Sequence, residues 1–118
     1  MKEFMLIYQG GDPEWMENAS PEEMAASMES WRQWMGGLQA KEQLASGGAA
    51  LQYPGKRLNK DGVVTDISAA EFKELVTGFS IVKANDIDAA ILIAKECPIF
   101  SYPDITVEVR ELMVIDLS

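Results

Sequence analysis

The sequence contains no histidine and a single cysteine, Cys97, in 118 residues. The lack of histidine excludes the Ser-His and Cys-His pairs that activate many enzymatic nucleophiles. The carboxylates that remain show no calcium-loop spacing and no Gly-rich phosphate loop is present, so neither a metal nor a cofactor is expected. A single cysteine cannot form an intramolecular disulfide, which is typical of a protein from a reducing cytoplasm. We interpret Cys97 as a packing residue.

Basic residues are also scarce, since 10 Lys and Arg stand against 19 Asp and Glu and give a formal net charge of −9. Such a field repels polyanions, so we expect neither nucleic-acid binding nor anionic-membrane binding. No apolar run is long enough for a membrane span, and the start of the chain has too short an apolar core for a signal peptide. These absences predict a cytoplasmic protein.

What is present fits one globular domain over residues 1–118. The apolar fraction is 47% and the charged fraction 25%, so the chain can bury a core of ordinary composition. The first strand is predicted from Lys2 to Gln9, with Phe4, Leu6 and Tyr8 on one face and Met5 and Ile7 on the other. Both faces of this strand are therefore apolar.

A capping box at Ser20 to Glu23 predicts the start of a long helix over residues 21–43. Apolar residues then recur at helical spacing in one stripe: Met24, Met28, Trp31, Met35 and Leu38. Trp31 lies mid-stripe and is predicted to be core. Trp34 lies off the stripe and faces either a pocket or a partner, or packs at the stripe's edge. The pair Gly36-Gly37 marks either a close backbone approach or a kink.

Further along the chain, local patterns predict five extended segments and a second helix. The Asp61-Gly62 turn predicts a hairpin. The predicted segments are a short strand at 49–53, the hairpin arms at 56–59 and 63–65, a strand at 75–82, a helix at 86–96 and a last strand from Ile105 to Arg110. Met113-Val114-Ile115 continues or follows the last strand.

This order of elements predicts an α+β fold of the ferredoxin-like kind, a split βαβ arrangement with an antiparallel sheet. Two helices cover one face of such a sheet. The apolar residues on the other face then predict a homodimer that packs sheet against sheet.

Residues 65–74 carry a family resemblance. They resemble, without a gap, the Thr-Asp-Gly-Pro-Phe-x-Glu-x-Lys-Glu signature of the YCII-related (DGPF) domain family. Thr65, Asp66, Glu71 and Lys73-Glu74 match, whereas Ile67-Ser68-Ala69 replaces Gly-Pro-Phe. The resemblance extends over nearly the whole chain and implies a dimeric α+β barrel made of two ferredoxin-like units.

The family has been suspected of enzymatic activity because many members carry a histidine and an aspartate near a cleft. Asp66 matches the aspartate, but this chain has no histidine. Carboxylate chemistry in an apolar pocket would therefore use Asp66, with Glu71 second and Tyr8 or Arg110 as orienting groups. The alternative, which we favour, is that Asp66 accepts hydrogen bonds from the backbone of its own turn.

Three functions stay open. The first is binding of a small apolar or aromatic ligand, or of a protein partner, without histidine-based catalysis. The second is a cofactor-free enzyme of the lyase or isomerase type. The third is a regulatory role in transcription through protein contacts, since relatives occur beside or fused to sigma-factor-like proteins. A pocket lined by Trp31 or Trp34 with a buried Asp66 would favour the enzyme.

Overall fold

The computed structural model describes residues 1–67 and 74–116 and contains a four-stranded sheet, a separate hairpin and three α-helices within that part of the chain. In chain order the elements are β1 (Lys2–Gly10), α1 (Pro13–Asn18), α2 (Pro21–Ala40), β2 (Leu44–Ala50), β3 (Lys56–Leu58), β4 (Val64–Asp66), β5 (Val76–Ala84), α3 (Ile87–Lys95), a 3₁₀ helix (Pro98–Ser101) and β6 (Ile105–Glu111).

The four-stranded sheet has the order β2-β5-β1-β6, and every neighbouring pair is antiparallel. β1 lies in the middle, with Phe4 opposite Val82 and Tyr8 opposite Gly78 on β5. The strands β1 and β2, joined through α2, are separated by β5, which is the split βαβ arrangement of a ferredoxin-like fold. The predicted fold class is confirmed.

The core is concentrated at one end of the sheet, beneath α3. There Phe4, Leu6 and Val82 are fully buried, and α3 contributes the small residues Ala90 and Ala94. Small residues let the helix approach the sheet closely, so this end is densely packed.

The helix α2 begins with the predicted capping box, in which the Ser20 hydroxyl accepts from the Glu23 amide and the Glu23 carboxylate accepts from the Ser20 amide. The helix ends at Ala40 rather than at Gln43. Of the two alternatives for Gly36-Gly37, a close backbone approach is not seen within the described residues, because a Cβ added at either glycine would meet none of their atoms within 4 Å.

The stripe on α2 does not pack as a continuous core face. Leu38 is buried, but Met28 is 57% exposed and Trp31 is half-buried, so the prediction of a core Trp31 is correct only in part. The physical reason is that much of this stripe faces a cleft, which is described below.

The strand β2 differs from its prediction, because it runs from Leu44 to Ala50 instead of 49–53. The register of its pairing with β5 shifts between Ser46 and Ala49. Gly48 lies within that stretch and has a φ of +75°, in the left-handed region. A Cβ at Gly48 would lie 1.6 Å from the Phe79 carbonyl oxygen, so only glycine fits. The glycine pair Gly47-Gly48, which precedes the predicted strand at 49–53, is therefore part of β2.

The remaining segments are close to their predictions, with one exception, the helix α1. The hairpin β3–β4, the helix α3 and the strands β5 and β6 are present, although β5 extends to Ala84. The helix α1, which is not among the predicted elements, begins shortly after β1, because Asp12 caps it by accepting from the Glu14 amide and Pro13 occupies its first turn. Met113-Val114-Ile115 forms no strand and is exposed.

Candidate functional site

An open cleft of about 840 Å³ lies between α2 and the sheet, at the opposite end from the dense core. The sheet contributes small residues to its floor, with Gly47 from β2 and Gly78 and Ser80 from β5. Large side chains at these positions would fill the space beneath α2. The cleft therefore follows from small residues on adjacent strands.

Aromatic side chains form much of the wall of the cleft. The rings of Tyr8 and Trp31 pack edge to face with centroids 5.8 Å apart, and those of Trp15 and Tyr102 do so at 4.8 Å. The Trp31 Nε1 donates to the Tyr102 hydroxyl oxygen at 3.1 Å, and the Ser27 hydroxyl bonds to the same group. These contacts connect α1, α2 and the segment after the 3₁₀ helix into one wall.

A chain of hydrogen bonds crosses the floor of the cleft. The Ser80 hydroxyl donates to the Gly47 carbonyl at 3.0 Å and accepts from the Tyr8 hydroxyl at 2.8 Å. Because the single proton of Tyr8 goes to Ser80, the Cys97 thiol is the donor in its 3.5 Å contact with the Tyr8 oxygen. The chain therefore runs from Cys97 through Tyr8 and Ser80 to a backbone carbonyl.

Burial keeps both ionisable members of this chain in their neutral form. It is the main cause that raises the pKa of the Tyr8 hydroxyl far above its ordinary value, and the nearby Cys97 raises it further. Burial likewise raises the pKa of the Cys97 thiol. The two hydroxyl groups are thus buried, neutral and hydrogen-bonded to their neighbours, an arrangement that does not suit proton abstraction from a ligand.

The charged side chains that line the cleft are Asp12, Glu17 and Arg32 among the described residues. Arg32 forms an ion pair with Glu29, which lies one turn earlier in α2. The two acids belong to α1 and to the residue that caps it, so one end of the cleft is acidic.

The structure brings together two of the residues singled out from the sequence. Tyr8 and Trp31 both line the cleft, whereas Trp34 packs behind Trp31 with ring centroids 5.7 Å apart. Arg110 lies on the opposite face of the sheet from the helices, where it pairs with Met5 and contacts Glu108 at 3.7 Å. Glu71 lies outside the described residues.

Asp66 is outside the cleft as well. It is the last residue of β4, its side chain is 79% exposed, and its carboxylate pairs with the Lys56 ammonium on β3. Asp66 therefore links the two arms of the hairpin. The amides that follow it in the predicted turn, at 68–70, lie outside the described residues, so its hydrogen bonds to the backbone of that turn stay a prediction.

Three residues of the cleft were not predicted from the sequence: Trp15, Ser80 and Tyr102. A signal for Trp15 was present, since Asp12-Pro13 is a helix start and Trp15 lies in the first turn that follows. Ser80 was also detectable as a small polar residue at an inward position of an otherwise apolar strand. Tyr102 lies in a loop that carries no local pattern.

The fold and the site define a ferredoxin-like α+β domain with an aromatic-lined cleft between its long helix and its sheet. The sequence matches the family model of the YCII-related domain over residues 1–115, so the chain belongs to the YCII-related domain family. A comparison with curated proteins finds no significant match. Across residues 1–67 and 74–116, no helix has the length and apolarity needed to cross a membrane.

Proposed function

We propose that this domain binds a small apolar or aromatic ligand in the cleft between α2 and the sheet, without histidine-based catalysis. The observation that carries the proposal is the cleft itself. Its volume of about 840 Å³ lies within the range of small-molecule sites, and its walls are mainly aromatic and aliphatic with a few hydroxyl groups.

The position of Asp66 supports binding over acid–base chemistry. An enzyme that used this carboxylate would need it desolvated within reach of the ligand. Instead the side chain is exposed on the hairpin and paired with Lys56. The residues that face the cleft floor, Tyr8 and Ser80, are hydrogen-bonded to each other and stay neutral.

Filling the cleft tests the proposal. Ala50 lies on the edge strand β2, pairs with Gly78 and lines the cleft, so Ala50→Phe should narrow it without disturbing the core. Ala26→Phe is the matched control, because Ala26 is exposed on the outer face of α2. The probe is N-phenyl-1-naphthylamine, a neutral aromatic dye whose fluorescence rises in apolar sites.

We expect the parent protein to bind the dye saturably and Ala50→Phe to bind it at least tenfold more weakly. Ala26→Phe should bind as the parent does. If neither the dye nor any similar neutral aromatic compound binds, or if both variants bind equally well, the cleft is not a ligand site.

We also infer that the domain forms a homodimer through the open face of its sheet. On that face Met5 lies opposite Ile81, and Ile7 lies opposite Phe79, which forms a continuous apolar patch on the two central strands. The helices lie on the other side. A second copy presenting the same patch is the simplest cover, and such an interface should bury on the order of 2,000 Å².

The dimer is tested by Ile81→Glu, which puts a charge in the centre of the patch. The control is Leu92→Glu, because Leu92 is an exposed apolar residue on the outer side of α3. Light scattering should give twice the mass of one chain for the parent and for Leu92→Glu, and a lower mass for Ile81→Glu. A monomeric parent at micromolar concentration would contradict the inference.

A further inference from the structure

We propose that the cleft selects an organic cation, namely a small amine or quaternary ammonium compound with an apolar or aromatic body. This inference rests on the proposed ligand-binding function and adds the charge of the ligand. It is carried by the combination of aromatic walls with carboxylates at one end of the same cleft.

The aromatic walls are the first observation. Trp15, Trp31, Tyr8 and Tyr102 all line the cleft and are held in place by ring packing and by the hydrogen bond from Trp31 to Tyr102. The faces of indole and phenol rings carry partial negative charge and attract cations, most strongly where water is excluded. A neutral apolar ligand would gain from the same walls but would not use this attraction.

The distribution of charge is the second observation. Asp12 and Glu17 line the cleft, whereas the guanidinium of Arg32 is paired with Glu29. Tyr53 also lines the cleft, and its pKa is raised by burial and, secondarily, by the negative charge of Asp12. The field of Asp12 therefore reaches inside the wall of the cleft.

A small adjoining recess extends the acidic region around Trp15. It is lined by Asp12, Glu14 and Glu23 together with Trp15 itself. Trp15 thus shares both the cleft and the recess with acidic residues, in a chain whose net charge is −9. An anionic ligand would be repelled from this end, and a cation would be attracted.

The opposite end of the cleft has a different chemistry. There the Met35 side chain lies against Gly47, and the charged group nearest to Met35 on α2 that lines the cleft, the Arg32 guanidinium, is paired with Glu29. An elongated ligand can therefore place its ammonium group near Trp15 and Asp12 and its apolar body towards Met35.

The test uses three probes of similar shape and different charge. They are 4-(trimethylammonio)benzyl alcohol, the neutral isostere 4-tert-butylbenzyl alcohol, and the anion 4-(hydroxymethyl)benzoate. Calorimetric titration of the intact chain should show the cation binding at least fivefold more tightly than the isostere, with the anion weakest. The advantage of the cation should shrink as salt is raised.

Asp12→Asn separates the charge of Asp12 from its structural role, because asparagine is as good an N-cap as aspartate. Asp86→Asn is the matched control, since Asp86 caps α3 by accepting from the Ala89 amide at 2.8 Å and does not line the cleft. We expect Asp12→Asn to weaken binding of the cation about threefold to tenfold and to leave binding of the isostere unchanged. Asp86→Asn should change neither.

Each outcome has a distinct meaning. If the isostere binds as tightly as the cation, or if Asp12→Asn leaves the affinity for the cation unchanged, the selection for cations is wrong while the proposed ligand site stands. If no probe and no neutral aromatic dye binds, the proposed function fails and this inference fails with it.

Discussion

The indole Nε1 of Trp31 donates a hydrogen bond to the hydroxyl oxygen of Tyr102 at 3.1 Å, and the two residues are 71 positions apart in the chain. The bond fixes α2 relative to the segment that follows the 3₁₀ helix. The neighbouring Trp34 differs in one respect, because its Nε1 is buried without a hydrogen-bond partner among the described residues.

This contrast predicts different effects for the same substitution. Trp31→Phe removes a paired donor and leaves the Tyr102 hydroxyl with one partner fewer. Trp34→Phe removes a buried donor that has no partner within 1–67 and 74–116. We expect Trp31→Phe to lose about 1 kcal/mol more unfolding free energy than Trp34→Phe. Urea unfolding followed by circular dichroism measures both, and equal losses would mean that the Trp31 bond contributes nothing.

The hydroxyl chain on the cleft floor gives a second prediction. Ser80→Ala removes the acceptor of the Tyr8 hydroxyl and the donor to the Gly47 carbonyl, so we expect a loss of about 1–3 kcal/mol. Ser101→Ala is the control, since the Ser101 hydroxyl bonds to Pro98 at the surface and its removal should cost under about 0.5 kcal/mol. Similar losses for the two variants in urea unfolding would show that the hydrogen bonds of Ser80 contribute no more to stability than the surface bond of Ser101.

The buried thiol of Cys97 should make the stability of the protein decrease at alkaline pH. The pKa of Cys97 is raised in the folded state, so above about pH 9 the unfolded chain releases a proton that the folded chain retains. Its contribution to stability is therefore complete below the unfolded-state pKa and is lost as pH rises through the folded-state pKa. Tyr8 adds to this loss above about pH 10.

Unfolding free energies measured from pH 7 to pH 10.5 check this prediction. The parent should lose stability across the upper part of the range, and Cys97→Ala should show a shallower slope from about pH 8.5 to pH 10 whatever its absolute stability. Identical slopes would mean that the thiol ionises as easily in the folded protein as in the unfolded chain.

Substitution of glycine by alanine should change the stability in opposite directions in α2 and at Gly48. Gly36→Ala and Gly37→Ala meet no neighbouring atom in the interior of α2, so each should stabilise the protein by about 0.5–1 kcal/mol. Gly48→Ala should be strongly destabilising, because its Cβ would overlap the Phe79 carbonyl. The melting temperatures of the three variants measure these changes. A lower melting temperature for the α2 variants would indicate that a partner approaches the helix there.

The sequence was sufficient to predict the fold because its signals are local. The capping box at Ser20, the alternation from Phe4 to Tyr8 and the Asp61-Gly62 turn each depend on neighbouring residues. The β2 bounds could not be predicted in the same way, since the left-handed Gly48 is determined by the approach of β5.

The cleft was less predictable, because it is made by residues from strands and loops that are distant in the sequence. The small residues Gly47 and Ser80 leave the volume beneath α2 unfilled, and the rings of Trp15 and Tyr102 form part of the wall of the cleft. Asp66 was singled out by a family signature, which indicates ancestry and not exposure. The local Asp61-Gly62 turn predicts the hairpin that carries Asp66, but the position of that hairpin outside the cleft depends on tertiary structure.

The most direct test of the ligand-binding cleft uses the indole N–H signals of the three tryptophans in a ¹H–¹⁵N spectrum. Trp15 and Trp31 line the cleft and Trp34 does not, so one experiment contains both the site and its control. Titration with 4-(trimethylammonio)benzyl alcohol or N-phenyl-1-naphthylamine should shift the signals of Trp15 and Trp31 in a saturable way and shift that of Trp34 much less. Saturable binding that moves Trp34 alone, or none of the three, would contradict the account.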